Sequence, residues 1–295
     1  MRILVTGATG FLGRAFVRQA LDAGHDVCAL VRPARALSDP VSPARLTVCR
    51  GTLAAPPWED LARFEAHSCV HTAWITAPGI YPESAENDRY RAESLAFLGG
   101  LFERGLDHAV AVGTSAEYRP SRVPLDEARS PLDPRTRYAR AKHELHLALA
   151  ERAAVAGTRL AWARIFQPYG VGEPPERVCS AVIRRLAAGE RMTLDTPNAV
   201  RDWIHVDDAA AALLCLAESR AGAVVNIGSG VGRTVGSVAL AIAGLLGRAE
   251  LMVTRPTEPD PLGPLVADPT RLRGFGWRPR VELEVGLASL IEHLR

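Results

Sequence analysis

Short apolar, β-branched runs alternate with longer helical stretches through the first half of the chain: RILVT, then FLGRAFVRQALDAG, then DVCALV, RLTVC and SCVHTA, a long helix near Pro82 to Arg104, and HAVAVG. Strands separated by helices are the signature of βαβ units around a parallel sheet. A second long helix, roughly Pro134 to Ala156, leads into another buried strand, RLAWARIF. After Phe166 the texture changes, because QPYGVGEPPE and RPTEPDPLGPLVADP are rich in proline and glycine and read as loops of a smaller lobe. Between them VDDAAAALLCLAES reads as a helix and AVVNIGS as a strand returning to the main sheet. The pattern predicts an α/β fold: a doubly wound parallel sheet over 1–167 with 204–230, and a smaller, discontinuous C-terminal lobe over 168–203 with 231–295.

At 295 residues, 47% of them apolar, the chain can supply a full core, which excludes a disordered or fibrous protein. Its 35 basic and 33 acidic residues are mixed along the sequence, so the net charge of +2 offers no basic block for nucleic acid and leaves room for small anionic ligands. The cysteines (Cys28, Cys49, Cys69, Cys179, Cys215) are odd in number, scattered and without a CxxC pair, so buried reduced thiols are expected, not disulfides or zinc ligands. The first strand starts almost at Met1, leaving no room for a signal peptide, and no apolar run reaches the roughly 18 residues of a membrane span. A cytoplasmic soluble protein with no membrane partner is the expectation. HVDD holds two carboxylates beside His205, but no His/Asp spacing elsewhere completes a metal site, and no metal is expected.

Gly7, Gly10 and Gly13 in VTGATGFLGRAF stand at GxxGxxG spacing between a strand and a helix. Gly7 permits the tight turn, Gly10 lets the backbone approach a pyrophosphate, Gly13 allows close helix packing, and the helix N-terminus attracts the phosphates. This is the dinucleotide fingerprint of a Rossmann-type fold and makes the larger domain an NAD(P)-binding domain. In that fingerprint a carboxylate at the end of the second strand accepts hydrogen bonds from the adenosine ribose and would repel a 2′-phosphate. HDVCALVRPAR puts Val31 there, with Arg32 following and Arg35 close behind. An arginine pairs bidentately with phosphate, so NADP(H) is expected over NAD(H), the alternative being NAD(H) with Arg32 as a solvated loop residue.

YARAK places Tyr138 and Lys142 one turn apart on the same face of a helix. A lysine ammonium beside a tyrosine favours the phenolate, lowering its pKa from about 10 toward the range useful for proton transfer. AVAVGTSAEY ends a strand with Thr114 and Ser115 at the carboxyl edge of the sheet, where open α/β folds bind ligands. Either hydroxyl could hydrogen-bond the substrate oxygen that Tyr138 protonates or deprotonates.

Taken in order, TGATGFLG, VHTAW, GTSAEY, YARAK, ARIFQPYGVGE, RDWIHVDDAA, NIGSG and FGWRPRVELEVGLASLI resemble the extended short-chain dehydrogenase/reductase family, in its nucleotide-sugar epimerase, dehydratase and reductase branch. The resemblance implies that Tyr138 is the acid/base, that Lys142 also holds the nicotinamide ribose, and that Thr114 is the catalytic hydroxyl with Ser115 its nearest substitute. It implies cofactor contacts from Phe11, Leu12, Thr52, Leu53 and Ala73 and a substrate contact from Gln167. Arg201 would grip the sugar-nucleotide diphosphate with its planar fork, and Arg255 would be a second anion-binding arginine near the nucleoside. His71 and His205 read as structural residues, and His143 as a surface residue pointing away from Tyr138. The resemblance also implies a homodimer, packed through the helix before the fifth strand and the Tyr-Lys helix. Leu145 and Leu149 would serve either that contact or the core.

Departures from the family pattern sharpen the expectation. Ser115 and Ala116 stand where the dehydratases carry an Asp-Glu pair that eliminates water, which argues against a 4,6-dehydratase. Asn87 falls one turn before Tyr90, the position of the family's structural asparagine, while Gln167 replaces an asparagine and Thr52 an aspartate that often contacts adenine. Because cells hold the NADP pool reduced, Arg32 tilts the reading toward a reductase: NADPH-dependent reduction of a keto group, at C4, of a nucleotide-diphospho-sugar such as a dTDP-4-keto-6-deoxyhexose. Hydride would go to the carbonyl carbon and a proton from Tyr138 to its oxygen, with Thr114 or Ser115 polarising that oxygen. The alternatives are an NAD-dependent nucleotide-sugar 4-epimerase using the same residues, a reductase of a non-nucleotide ketone or aldehyde, and a non-catalytic NADP-binding sensor, which the retention of Tyr138 and Lys142 disfavours.

Overall fold

The computed structural model describes residues 1–35, 43–253, 260 and 263–295. Strands and helices follow the apolar runs in turn: β1 (Arg2–Thr6), α1 (Phe11–Asp22), β2 (Asp26–Val31), β3 (Leu46–Arg50), α2 (Trp58–Phe64), β4 (Ser68–His71), α3 (Glu86–Glu103), β5 (His108–Thr114), α4 (Arg137–Ala156) and β6 (Arg159–Ile165). The second half adds β7 (Gln167–Tyr169), α5 (Val178–Ala187), β8 (Val200–His205), α6 (Val206–Glu218), β9 (Val224–Ile227), β10 (Gly232–Thr234), α7 (Val235–Leu246), α8 (Thr270–Gly274) and α9 (Leu283–Leu294). Two helices start later than the pattern indicates, α3 at Glu86 and α4 at Arg137. For α4 the reason is a cap: the Thr136 hydroxyl accepts from the Ala139 N–H at 3.1 Å and satisfies a first-turn amide.

Seven strands form one sheet in the order β3-β2-β1-β4-β5-β6-β9, every neighbouring pair parallel. The chain order reverses between β1 and β4, which opens a crevice at their carboxyl ends. There Thr6 at the end of β1 lies opposite Leu30 on β2 and His71 on β4. On one face α1 and α6 bury Phe16, Val17 and Leu213 against the strands. On the other, α3 and α4 bury Phe97, Leu98, Leu145, Leu149 and Trp162. Leu145 and Leu149, 1% and 0% exposed, are therefore core residues of this chain, not residues of a subunit contact.

A second sheet, β10-β8-β7, packs with α5, α7 and α9 around Tyr169, Val182, Ile242 and Leu290. Both β7 and β8 run unbroken through the expected boundaries at 167/168 and 203/204, so those boundaries fall inside strands. All five cysteines are free thiols; four are buried and Cys215 is half-buried. Among the described residues no helix is long and apolar enough to cross a membrane.

Candidate active site

A cleft of about 620 Å³ opens where the strand order reverses, and most of the expected site residues line it. Gly7 turns the chain out of β1 at φ +71°, and a Cβ there would lie 2.5 Å from Thr72 Oγ1 and 2.7 Å from the Ala73 amide nitrogen. A Cβ on Gly13 would lie 2.0 Å from the Gly7 carbonyl oxygen. Only hydrogen at these two positions lets the loop close against the start of α1. The helix then presents Gly10, Phe11, Leu12 and Gly13 to the cleft, a cradle that suits a pyrophosphate. Thr52, Leu53 and Ala73 line the same cleft.

At the far end of this cradle, Val31 closes β2 in the core and the exposed Arg32 lines the cleft mouth. Arg35 does not line it. The backbone turns there, the Arg35 N–H donating to the Arg32 carbonyl at 2.9 Å, and carries Arg35 past the rim, where its carbonyl accepts from the Arg50 guanidinium.

The other end holds the candidate proton-transfer groups. Tyr138, Lys142, Thr114, Ser115 and Gln167 all line it. Burial and the nearby Tyr81 raise the Tyr138 hydroxyl above the ordinary tyrosine range, and a hydrogen bond with the Thr114 hydroxyl opposes them. Lys142 is only 2% exposed. Its ammonium donates to the Val112 carbonyl at 2.8 Å and stands 3.7 Å from the centre of the Trp74 ring. Burial lowers its pKa to about 7, the Glu117 carboxylate opposing. The expected lowering of the tyrosine by the lysine is thus not what dominates: burial wins at both groups, and the ammonium faces Val112 and Trp74.

Beneath these groups lies a buried carboxylate that no local motif reveals. Glu117, 0% exposed, accepts from the Thr114 N–H (2.9 Å), from Trp162 Nε1 (3.0 and 3.2 Å at its two oxygens) and from Arg164 Nε (2.9 Å). It fixes the end of β5 and with it Thr114. His143 and His146 each bring a ring nitrogen to within 4.8 Å of Glu117 and of one another, but both Glu117 oxygens are already engaged by these donors. His143 is half-buried on this face of α4 and not at the surface. His71, 1% exposed, ties β4 to β1 and α3 through Thr6 Oγ1 (2.8 Å) and Ser94 Oγ (3.0 Å). His205 caps α6, its Nδ1 accepting from the Asp207 N–H at 3.3 Å.

A loop over residues 72–85 roofs the reactive end. Asn87 is fully buried and holds it: Nδ2 donates to the carbonyls of Tyr81 (2.6 Å) and Ser84 (2.9 Å), and Oδ1 accepts from Trp74 Nε1 (2.9 Å). Its displacement by one turn from the expected position is therefore accommodated by a loop fastening. Tyr81 meets Tyr138 edge-on at 4.9 Å. Arg177, just before α5, also lines the cleft, and its positive charge favours the Tyr138 phenolate. Arg201 lines it too, but its fork is filled: Nη1 and Nη2 pair with the two oxygens of Asp260 at 2.8 and 3.0 Å, and Nη1 also donates to the Gly263 carbonyl. In this state it braces that segment and is not open to a diphosphate. Arg255 lies outside the described residues.

A glycine cradle on a parallel sheet, facing a tyrosine, a buried lysine and a hydroxyl across one cleft, defines a dinucleotide-binding oxidoreductase-type enzyme. The model of the NAD dependent epimerase/dehydratase family matches residues 3–228, and the chain belongs to this family. It is 28% identical to the UDP-glucose 4-epimerase of Corynebacterium glutamicum, over 95% of this chain and 91% of that protein. It is 27% identical to the dTDP-6-deoxy-L-talose 4-dehydrogenase (NAD(+)) of Aggregatibacter actinomycetemcomitans, over 70% of this chain and 77% of that one. Among solved structures, the UDP-glucose 4-epimerase of Thermus thermophilus in complex with NAD superposes with a TM-score of 0.88 at 25% identity, covering 100% of this chain and 99% of that one.

Proposed function

We propose that this enzyme reduces a keto group, at C4, of a nucleotide-diphospho-sugar, using NADPH. The observation that carries the reading is Arg32 at the mouth of the same cleft that holds Tyr138, Lys142 and Thr114, following a β2 that ends in Val31 and not in a carboxylate. When bound, the nicotinamide supplies the hydride. Tyr138 then delivers the proton to the substrate oxygen, and Thr114, fixed by Glu117, donates a hydrogen bond to it. Arg177 supplies positive charge that favours the phenolate left on Tyr138, and Lys142, one helical turn away, adds to it while protonated. With Arg201 braced by Asp260, Arg177 is the cation assigned here to the substrate diphosphate. The relative named as a 4-dehydrogenase of a dTDP-6-deoxysugar supports chemistry at C4.

A second reading has support of its own. The Thermus thermophilus neighbour is a 4-epimerase solved with NAD, and an epimerase would use the same residues to oxidise and re-reduce one carbon. The two readings part at Arg32. Titration of the protein and of its Arg32→Ala variant with NADPH and NADH tests this. Loss of a charge-assisted pair lowers NADPH affinity roughly 10- to 100-fold and leaves NADH nearly unchanged. Equal loss for both cofactors, or none, favours the epimerase reading. A homodimer through the exposed face of α3 and α4, where Leu147 is 51% exposed, accompanies either proposal.

A further inference from the structure

Lys142 is the only lysine in the chain; every other member of the 35 basic side chains is arginine. A guanidinium stays charged at any working pH, whereas a buried ammonium can lose its proton, so a lone lysine in an arginine chain marks a position where that difference matters. What surrounds it is equally specific. The residue is 2% exposed at the wall of the cleft, and its ammonium donates to the Val112 carbonyl near the end of β5 and lies over the Trp74 ring face at 3.7 Å. Trp74 is itself fastened, Nε1 donating to the fully buried Asn87, which in turn holds the loop carbonyls of Tyr81 and Ser84. Its ring also meets Tyr90 at 5.8 Å and Tyr138 at 6.5 Å.

We propose that Trp74 is a positioning residue for Lys142: its indole face keeps the ammonium cationic inside the protein and holds it against the end of β5, one helical turn from Tyr138. This rests on the reading of Tyr138 and Lys142 as the proton-transfer pair. Among the described residues, the titratable groups whose charge couples to the ammonium are Glu117, in the turn after β5, and His71 on β4, while Tyr138 stands one helical turn away on α4. Glu117 favours the charge, His71 is held neutral by burial and by the lysine itself, and burial alone works against the charge. Trp74 adds the negative face of a ring quadrupole, which attracts a desolvated cation most strongly of the aromatic side chains. Asn87 sets the angle of that face.

The single lysine makes the test direct. Protein grown with lysine labelled at Cε gives one lysine side-chain signal, whose pH titration reads Lys142 in the whole chain without any substrate. Trp74→Leu is expected to lower the midpoint by about one pH unit, a tenfold change in the protonation constant, and Trp74→Phe, which keeps a ring face, to restore part of it. The unsubstituted protein supplies a measurement that no folding failure removes: the ε-methylene protons of Lys142 are shifted upfield by the indole ring current. A Trp74→Leu midpoint within about 0.3 pH unit of the parent, or ε-methylene protons at their ordinary position, overturns the proposal. Absence of nucleotide-sugar turnover would instead count against the reductase reading and leave this titration standing.

Discussion

Replacing Glu117 with glutamine removes one charge and almost no volume, and the structure fixes what should follow. Glu117 and Arg164 have side-chain exposures of 0% and 2%, and the carboxylate takes Arg164 Nε at 2.9 Å together with Trp162 Nε1 and the Thr114 amide. Glutamine keeps one acceptor oxygen but turns an NH₂ group toward donors, leaving the guanidinium buried without a counter-charge. Breaking a buried pair in this way costs about 3–5 kcal/mol, a large share of the roughly 5–15 kcal/mol that holds a domain folded. Urea unfolding followed by tryptophan fluorescence measures the loss as a lower midpoint at unchanged slope. Adding Arg164→Met to Glu117→Gln removes the orphaned charge and keeps an apolar stem over Tyr118, whose ring lies 4.5 Å from the guanidinium carbon. The double variant is expected to recover at least half of the loss, about 2 kcal/mol or more. A Glu117→Gln loss under about 1 kcal/mol, or no recovery in the double variant, refutes the idea that this pair anchors Thr114 from below.

Gly13→Ala forces a methyl to 2.0 Å from the Gly7 carbonyl oxygen, so it should abolish measurable dinucleotide binding and destabilise the fold by about 1–3 kcal/mol; cofactor titration and urea unfolding check both. Burial lowers His71 to about 3 and His146 to about 4, below the unfolded value near 6.5. The unfolded chain therefore binds these protons first, and stability present above pH 6.5 falls as the pH drops through 6.5 toward those values. For His71 the slope is about 1.4 kcal/mol per pH unit, measurable as unfolding midpoints between pH 7 and pH 4, and a flat profile would contradict the burial. Of the five thiols, Cys215 alone is only half-buried, so a thiol reagent should modify one cysteine quickly in the native protein and the others only on unfolding.

Gly7, Gly10, Gly13, Thr114, Tyr138 and Lys142 were legible in the sequence because their relations are local: a strand-turn-helix junction, a strand end, one helical turn. The parallel sheet was legible for the same reason, as runs of apolar residues separated by helices. Contacts made across the fold were not. Arg201 reads as an open anion fork until Asp260, 59 positions later, is found filling it. Leu145 and Leu149 present a stripe that sequence alone cannot direct to the core or to a partner; packing of α4 against Trp162 decides it. Glu117 lies in a short turn and gains its role only from Arg164, 47 residues on. Trp74 sits inside the VHTAW strand motif, and nothing in that motif tells that its ring will cover Lys142.

The most direct test of the function is a single turnover: purified protein, one equivalent of NADPH and a dTDP-4-keto-6-deoxyhexose, followed by the nicotinamide absorbance, with Tyr138→Phe as the comparison. Stoichiometric loss of NADPH with formation of the C4 alcohol is expected, slowed roughly 100-fold or more by Tyr138→Phe while NADPH binding persists. Protein that carries NAD through purification, leaves added NADPH untouched and interconverts C4 epimers of a nucleotide sugar would contradict it and establish the epimerase reading instead.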